Sequence, residues 1–166
     1  MTTIKRPQSH FFLALFLTIF VILLDRLTKQ FFMHTLAPGE SFIVMPNVLY
    51  MTLVYNTGFA FGVLKNSGIA FIVIPVIALI LLIFNVYYFR KNDEVLSRWY
   101  VIGFSLILAG AIGNLYDRIF YGYVIDFIDF RIFPVFNVAD SAITIGAVVI
   151  AFKCFQLSTP HKKNSV

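Results

Sequence analysis

The feature that most constrains the fold is a set of apolar segments long enough to cross a lipid bilayer. Residues 69–89 carry no charge, and another apolar segment runs from Phe11 to Leu24 before Asp25 interrupts it. Crossing the hydrocarbon core takes about 20 helical residues. Because 60% of the chain is hydrophobic and only 13% is charged, a water-soluble core would have too few polar residues to cover it. We therefore expect the outside of the protein to face lipid.

The apolar segments predict four transmembrane helices, which cover approximately residues 11–31, 69–89, 99–116 and 138–157 within one domain, residues 1–166. The first helix has to continue past Asp25, because the segment that precedes Asp25 would rise only about 21 Å. Basic residues are more numerous on one side of these four spans. The positive-inside rule makes that side cytoplasmic, with both termini inside.

The segment between the first two spans, approximately residues 38–66, is apolar but irregular. Pro38, Pro46 and Gly58 interrupt it, and β-branched and aromatic residues are frequent between them. This pattern predicts short strands rather than a fifth span. The expected fold is an all-α membrane protein with a small β element, an extracytoplasmic cradle between helices 1 and 2 at the membrane surface.

Most acidic residues fall on the side opposite the cytoplasm, namely Asp25, Glu40, Asp117, Asp126, Asp129 and Asp140. An aspartate at the centre of a spanning helix costs about 2.5 to 3.5 kcal/mol, so acids gathered at one depth indicate an inward-facing site that water reaches. Helical spacing puts Asn114, Asp117 and Arg118 on one face of the third helix. It does the same for Asn137 and Asp140 at the start of the fourth.

These helical residues also have structural interpretations. Asp117 could pair with the neighbouring Arg118, as charges inside membranes usually pair with one another. Asn137 could cap the fourth helix, and Asp140 in its first turn could interact with the helix dipole. The spacing alone leaves both interpretations open.

Asp126 and Asp129 could likewise be loop acids in water, and this interpretation suits Asp129 better. In an extended segment their opposite parity would turn them to opposite faces. Parity does not decide which of the two faces inward.

Of the usual hydrolytic arrangements, only a pair of carboxylates is available. No zinc pair is evident, since no acid stands at ligand spacing from His10, His34 or His161. Cys154 has no histidine near it, and a serine–lysine dyad at Ser141 would need Lys29 or Lys65. Two aspartates that share a site hold one proton between them, so one accepts a proton from water while the other donates. Such a pair needs no metal or cofactor.

Other function classes fit less well. The net charge of +5 forms no continuous basic stripe, so nucleic acid is not an expected partner. A small proton- or cation-coupled transporter would use acids spread through the membrane depth, and a structural membrane subunit would need none of them. Both stay open as alternatives to a peptidase.

Five sequence blocks resemble the lipoprotein signal peptidase family, also called signal peptidase II: LLDRLTK, YNTGFAFG, GNLYDR, VIDFIDF and FNVAD. Their order and the four spans around them extend the resemblance over nearly the whole chain. It implies an aspartyl endopeptidase of the bacterial inner membrane that removes the signal peptide from diacylglyceryl-modified prolipoproteins, cleaving before the lipidated cysteine. The implied partners are these prolipoproteins, membrane lipids and globomycin-type inhibitors, and a complete site in one chain is compatible with a monomer.

Carried over by motif, the resemblance implies that Asp126 and Asp140 are the catalytic residues, near the extracytoplasmic face. It implies substrate-binding or supporting roles for Asp25, Asn56, Gly58, Asn114, Arg118 and Asn137. Asp117 and Asp129 are left without a role.

Overall fold

The computed structural model describes residues 8–58 and 97–158, together with the helical positions Val73, Val76, Ile77, Leu79, Ile80, Ile83 and Phe84. Apart from those positions, the predicted span 69–89 lies outside the described residues. So does the part of the predicted cradle that follows residue 58.

The described residues form long helices joined to a small sheet. In chain order the elements are α1 (Gln8–Thr35), β1 (Ser41–Met45), β2 (Leu49–Asn56), α2 (Arg98–Phe120), β3 (Val124–Asp129) and α3 (Val138–Ser158). Within this part of the chain, helices are long and apolar enough to cross a membrane over His10–Thr35, Arg98–Phe120 and Val138–Gln156. A mostly helical protein with a small β element is therefore confirmed.

Two helices extend beyond the predicted spans because their charged residues are paired inside the protein. α1 continues past residue 31 to Thr35, and α2 continues past residue 116 to Phe120. Asp25, which interrupts the apolar segment of α1, and Asp117, which follows the predicted end of α2, both contact Lys29. A charge that finds its partner within the protein does not have to end an apolar helix.

The three strands form one antiparallel sheet in the order β1, β2, β3. The register between β2 and β3 shifts between Met51 and Val54, so β2 carries one extra residue there. Tyr50 is opposite Asp129 on one side of this bulge, and Val54 is opposite Asp126 on the other. A bulge redirects side chains and bends its strand.

The sheet packs against the end of α1 through an aromatic and aliphatic cluster. Its buried members are Phe32, Leu36, Leu53, Ile125 and Phe127. The rings of Phe32 and Phe127 stack with their centroids 4.5 Å apart. Because burying each such side chain contributes about 1.5 to 3 kcal/mol, this cluster holds β3 at the end of the bundle where α1 ends.

Helices α2 and α3 approach each other closely at Gly110. A Cβ atom on Gly110 would lie 2.2 Å from the carbonyl oxygen of Ala139, a distance that no side chain could occupy. Small residues of this kind let helix backbones touch in membranes. The contact lies about one turn from Asn114 and brings that side chain to the start of α3.

Candidate active site

The structure brings Asp126 of β3 and Asp140 of α3 to the same residue, Asn137. The side-chain Nδ2 of Asn137 donates to Asp126 Oδ1 at 2.7 Å, and its backbone N–H donates to Asp140 Oδ2 at 3.3 Å. Asp126 is 2% exposed, whereas Asp140 keeps partial exposure. Asp126 and Asp140 therefore share a hydrogen-bonding partner, although Pro134 separates β3 from α3 in the chain.

The start of α3 explains why Asp140 is held in place. The Oδ1 atom of Asn137 accepts the backbone N–H of Asp140 at 2.8 Å, while Asp140 accepts the backbone N–H of Asn137. This reciprocal arrangement is a capping box with aspartate at its third position. The capping interpretation of Asn137 is thus confirmed, and the cap leaves the second oxygen of Asp140 for another donor.

Amide side chains supply further donors to the carboxylates. Asn114 Nδ2 donates to Asp140 Oδ1 at 2.7 Å, and Asn56 Nδ2 donates to Asp126 Oδ2 at 3.0 Å. The Oδ1 atom of Asn56 accepts the backbone N–H of Gly58 at 2.9 Å. Because its oxygen is engaged by Gly58, Asn56 turns its amide nitrogen towards Asp126.

Burial gives Asp126 the acidity expected of a carboxyl that shares a proton. Loss of hydration and the neighbouring Asp140 carboxylate raise the pKa of Asp126 to about 7, against hydrogen bonds from Asn56 and Asn137 and the charge of Lys29. An ordinary aspartate would be fully ionised at neutral pH. Here the pair can hold a proton near pH 7.

A buried ion cluster, defined here as Asp25, Arg26, Lys29 and Asp117, adjoins the carboxylate pair. The Lys29 side chain is fully buried, and its Nζ lies 2.8 Å from Asp25 Oδ2 and 2.7 Å from Asp117 Oδ2. The same Nζ donates to Asn114 Oδ1 at 3.1 Å. Arg26 pairs with the other oxygen of Asp117, so two acids balance two bases.

Asp117 pairs with Lys29 and Arg26 of α1 and also accepts the backbone N–H of Ile125 at 3.3 Å, whereas the sequence pointed to its neighbour Arg118. Arg118 lies within electrostatic range of Asp140 and Asp126 as well as Asp117. Its charge therefore acts on the carboxylate pair.

Asp25 links the ion cluster to the first turn of α3. Its Oδ1 accepts the backbone N–H of Ala139 at 3.0 Å, which satisfies a second donor at the helix start. Gly113 makes room for this contact, because a Cβ atom there would lie 2.8 Å from Asp25 Oδ2. The position of Asp140 therefore depends on a residue of α1.

Sequence reasoning missed the contacts of Lys29 and Arg26. The spacing of Asp25 and Lys29, i and i+4 on one helix, was the available signal. The role considered for Lys29, a base for Ser141, is not what the side chains do. Ser141 Oγ donates to the carbonyl oxygen of Asn137 at 2.9 Å, and Lys29 binds the acids.

The interpretation of Asp129 as a loop acid in water is wrong. Asp129 is the last residue of β3, is 5% exposed, and accepts a hydrogen bond from Thr52 Oγ1 at 2.7 Å. A further bond comes from the backbone N–H of Arg131 at 2.8 Å. Its partners differ from those of Asp126, so it belongs to a separate contact of the sheet.

The chain is similar to known proteins in sequence and in structure. The family model described as Signal peptidase (SPase) II matches residues 17–156. A lipoprotein signal peptidase of Halothermothrix orenii is 41% identical over 136 residues, 82% of this chain and 90% of that protein. A lipoprotein signal peptidase of Caldanaerobacter subterraneus is 43% identical over 141 residues, which are 84% of this chain and 94% of that protein. A solved bacterial membrane enzyme superposes with a TM-score of 0.78 at 34% identity, covering 92% of this chain and 93% of that one.

Proposed function

This chain belongs to the signal peptidase II family, and from that premise we propose that it is a metal-independent aspartyl endopeptidase of the bacterial inner membrane. Its substrates are diacylglyceryl-modified prolipoproteins, and it cleaves before the lipidated cysteine to remove the signal peptide. One observation carries the assignment of the dyad: Asn137 hydrogen-bonds both Asp126 and Asp140.

The carboxylate pair acts with one shared proton. The ionised carboxylate takes a proton from water as the water oxygen attacks the scissile carbonyl carbon, and the protonated carboxyl donates to the carbonyl oxygen. In the second step the carboxylate that is now ionised takes a proton from a hydroxyl of the gem-diol, the carbon–nitrogen bond breaks, and the protonated carboxyl delivers its proton to the leaving amine of the cysteine. The pair returns to its starting state with one proton, without a covalent intermediate.

The surrounding groups keep the carboxylates in position through both steps. Asn56 and Asn114 each donate to one member of the pair, and Asp25 restrains the helix turn that carries Asp140. Arg118 lies near enough to offset negative charge that develops on the substrate. We assign Gly58 the role of orienting Asn56.

The topology that fits this reaction has four spans, with both termini in the cytoplasm. Residues 69–89 supply the span between the sheet and α2. The dyad then lies at the extracytoplasmic end of the bundle, where the sheet forms a cradle beside the lipid. A prolipoprotein held in the bilayer by its apolar signal peptide and by the lipid chains on its cysteine reaches this site laterally, and globomycin-type inhibitors compete for it.

The decisive experiment measures cleavage of a synthetic diacylglyceryl precursor peptide by the purified full-length protein in lipid vesicles. Removal of a general acid or base costs about 100-fold or more in rate, so Asp126→Asn and Asp140→Asn should each lose at least that much. Both variants should keep the far-UV circular dichroism of the wild type. Glu40→Gln, an exposed acid on the sheet side, is the matched control and should cleave normally.

Two outcomes would overturn the proposal. Normal cleavage by either aspartate variant would remove that residue from the dyad, and inhibition by a metal chelator would contradict a metal-independent reaction. If the wild type leaves the precursor intact but carries protons across the same vesicles in a manner that needs Asp140, the transporter alternative is correct.

A further inference from the structure

The loop between β3 and α3 exposes apolar side chains in a way that the peptidase chemistry does not require. Ile132 is 95% exposed, and its neighbour Phe133 is 55% exposed. Phe130, on the other side of Arg131, is also exposed. These three residues are called here the apolar tip. In water such exposure is costly, so the apolar tip indicates a surface that another apolar phase covers.

The loop that carries the apolar tip is closed at its base. The backbone N–H groups of Ile128 and Phe136 donate to each other's carbonyl oxygens, at 2.8 and 3.1 Å. Because Ile128 belongs to β3, this bridge ties the far end of the loop to the sheet. Backbone hydrogen bonds of the fold therefore hold the loop that exposes Ile132.

Arg131 holds the turn itself in an uncommon conformation. Its φ of +64° lies in the left-handed region that side chains rarely adopt, and Ile132 N–H donates to Phe130 O at 2.8 Å across it. Asp129 accepts the backbone N–H of Arg131, and the Arg131 guanidinium lies 3.9 Å from the ring centroid of Tyr50. Asp129 and Tyr50 thus stabilise a turn that would otherwise relax and withdraw Ile132.

The position of the loop in the chain indicates which apolar phase covers it. Phe133 is five residues before Val138, where the membrane-length helix α3 starts, so the tip lies within about 18 Å of that start. Ile43, which pairs with Tyr50 across the sheet, is 60% exposed. The apolar surface therefore continues from the tip onto β1, at the end of α3 that starts with Val138.

We propose that the apolar tip inserts among the acyl chains of the extracytoplasmic leaflet and anchors the sheet, with Asp129 as the residue that locks the turn. Since Asp129 and Asp126 belong to the same strand, the anchor fixes the depth of Asp126 relative to the bilayer. This gives a task to the acid that the catalytic pair leaves unused. The proposal concerns membrane contact and does not depend on the chemistry of the dyad.

The test measures the depth of residue 132 in vesicles that contain no substrate. The exposed Cys154 is replaced by serine, and Ile132→Cys is labelled with an environment-sensitive fluorophore in the full-length protein. Lipids brominated on their acyl chains should quench this label, and aqueous iodide should not. Glu40→Cys, labelled in the same way, is the matched control and should show the reverse pattern. Phe133→Cys provides a second position if the first variant folds poorly.

The role of Asp129 is tested by adding Asp129→Ala, which removes the acceptor of the Arg131 N–H, to the labelled variant. The acyl-chain quenching should be lost and iodide quenching gained, because the turn is no longer locked. Iodide quenching of label 132 in the parent protein would overturn the proposal. So would acyl-chain quenching that appears only after lipidated precursor is added, or only at high protein density, since these point to substrate or to a second copy.

Discussion

Replacing Lys29 by methionine should destabilise the protein strongly. The ammonium group lies between Asp25 and Asp117, at 2.8 and 2.7 Å, with no part of the side chain exposed. Methionine is of similar length, so the change removes the charge and leaves a small space. Two buried carboxylates then face each other with Arg26 as the remaining base of the cluster.

The size of the effect follows from the cost of an uncompensated buried charge, about 3 to 5 kcal/mol. Neutralising one carboxylate is no cheaper at pH 7, because protonating an aspartate of the unfolded chain at that pH costs about 4 kcal/mol. A chain of this size loses about 2 to 4 °C of unfolding midpoint per kcal/mol, so the midpoint should fall by roughly 6 to 20 °C. At pH 5 the same protonation of an aspartate costs only about 1.5 kcal/mol, so the fall in the unfolding midpoint should be smaller than at pH 7.

The assay is thermal unfolding of the full-length protein in detergent micelles, followed by far-UV circular dichroism. Lys153→Met is the matched control, because Lys153 is near the end of α3 and its contacts with the described residues are to the exposed Gln156 and the ring of Trp99. That control should stay within about 0.5 kcal/mol of the wild type. Equal unfolding midpoints for the two lysine variants would refute the role of Lys29 as the partner of two buried acids. So would a fall in the Lys29→Met midpoint that is as large at pH 5 as at pH 7.

Further predictions concern the acidity of the dyad and the contact between helices. The pKa of Asp126, raised from 3.8 to about 7, means that the folded protein keeps a proton that the unfolded chain releases, so stability falls as pH rises between these values. The wild-type midpoint should therefore decline relative to that of Asp126→Asn from about pH 4 to 7, and parallel pH profiles would contradict this. Cleavage by the wild type should decline above about pH 7 as the pair loses its shared proton, and a rate that keeps rising to pH 9 would exclude that requirement. Gly110→Ala should cost about 1 to 3 kcal/mol and slow cleavage, because its Cβ would displace Ala139, whereas Ala147→Leu on an exposed face should do neither.

Part of the site could be read from local sequence patterns. The i, i+3 and i+4 spacing of Asn114, Asp117 and Arg118 put polar groups on one helix face, and the cap at Asn137 was visible as an asparagine before an apolar helix. Both features depend only on residues within a turn of each other. The bulge in β2 gave no such signal, since it depends on the partner strand.

The ionic partners could not be read in this way. Arg26 and Asp117 are 91 residues apart, and a charge near the membrane can pair with any opposite charge at the same depth. The burial of Asp129 depends on Thr52, which belongs to another strand. In both cases the contact is decided by the approach of elements that are distant in the chain.

The residues alone were enough to predict membrane-length helices, a small β element and acids gathered at one end, and the motif blocks indicated the family. These properties follow from composition and periodicity, which are local. The double role of Asn137, as the cap of α3 and as the bridge between Asp126 and Asp140, depends on the folded chain. The tertiary structure also decided that Lys29, buried among acids, holds α1 against α2. The physical reason is that a hydrogen bond or a buried ion pair requires atoms within about 3 Å, and only the packed helices and sheet bring those atoms together.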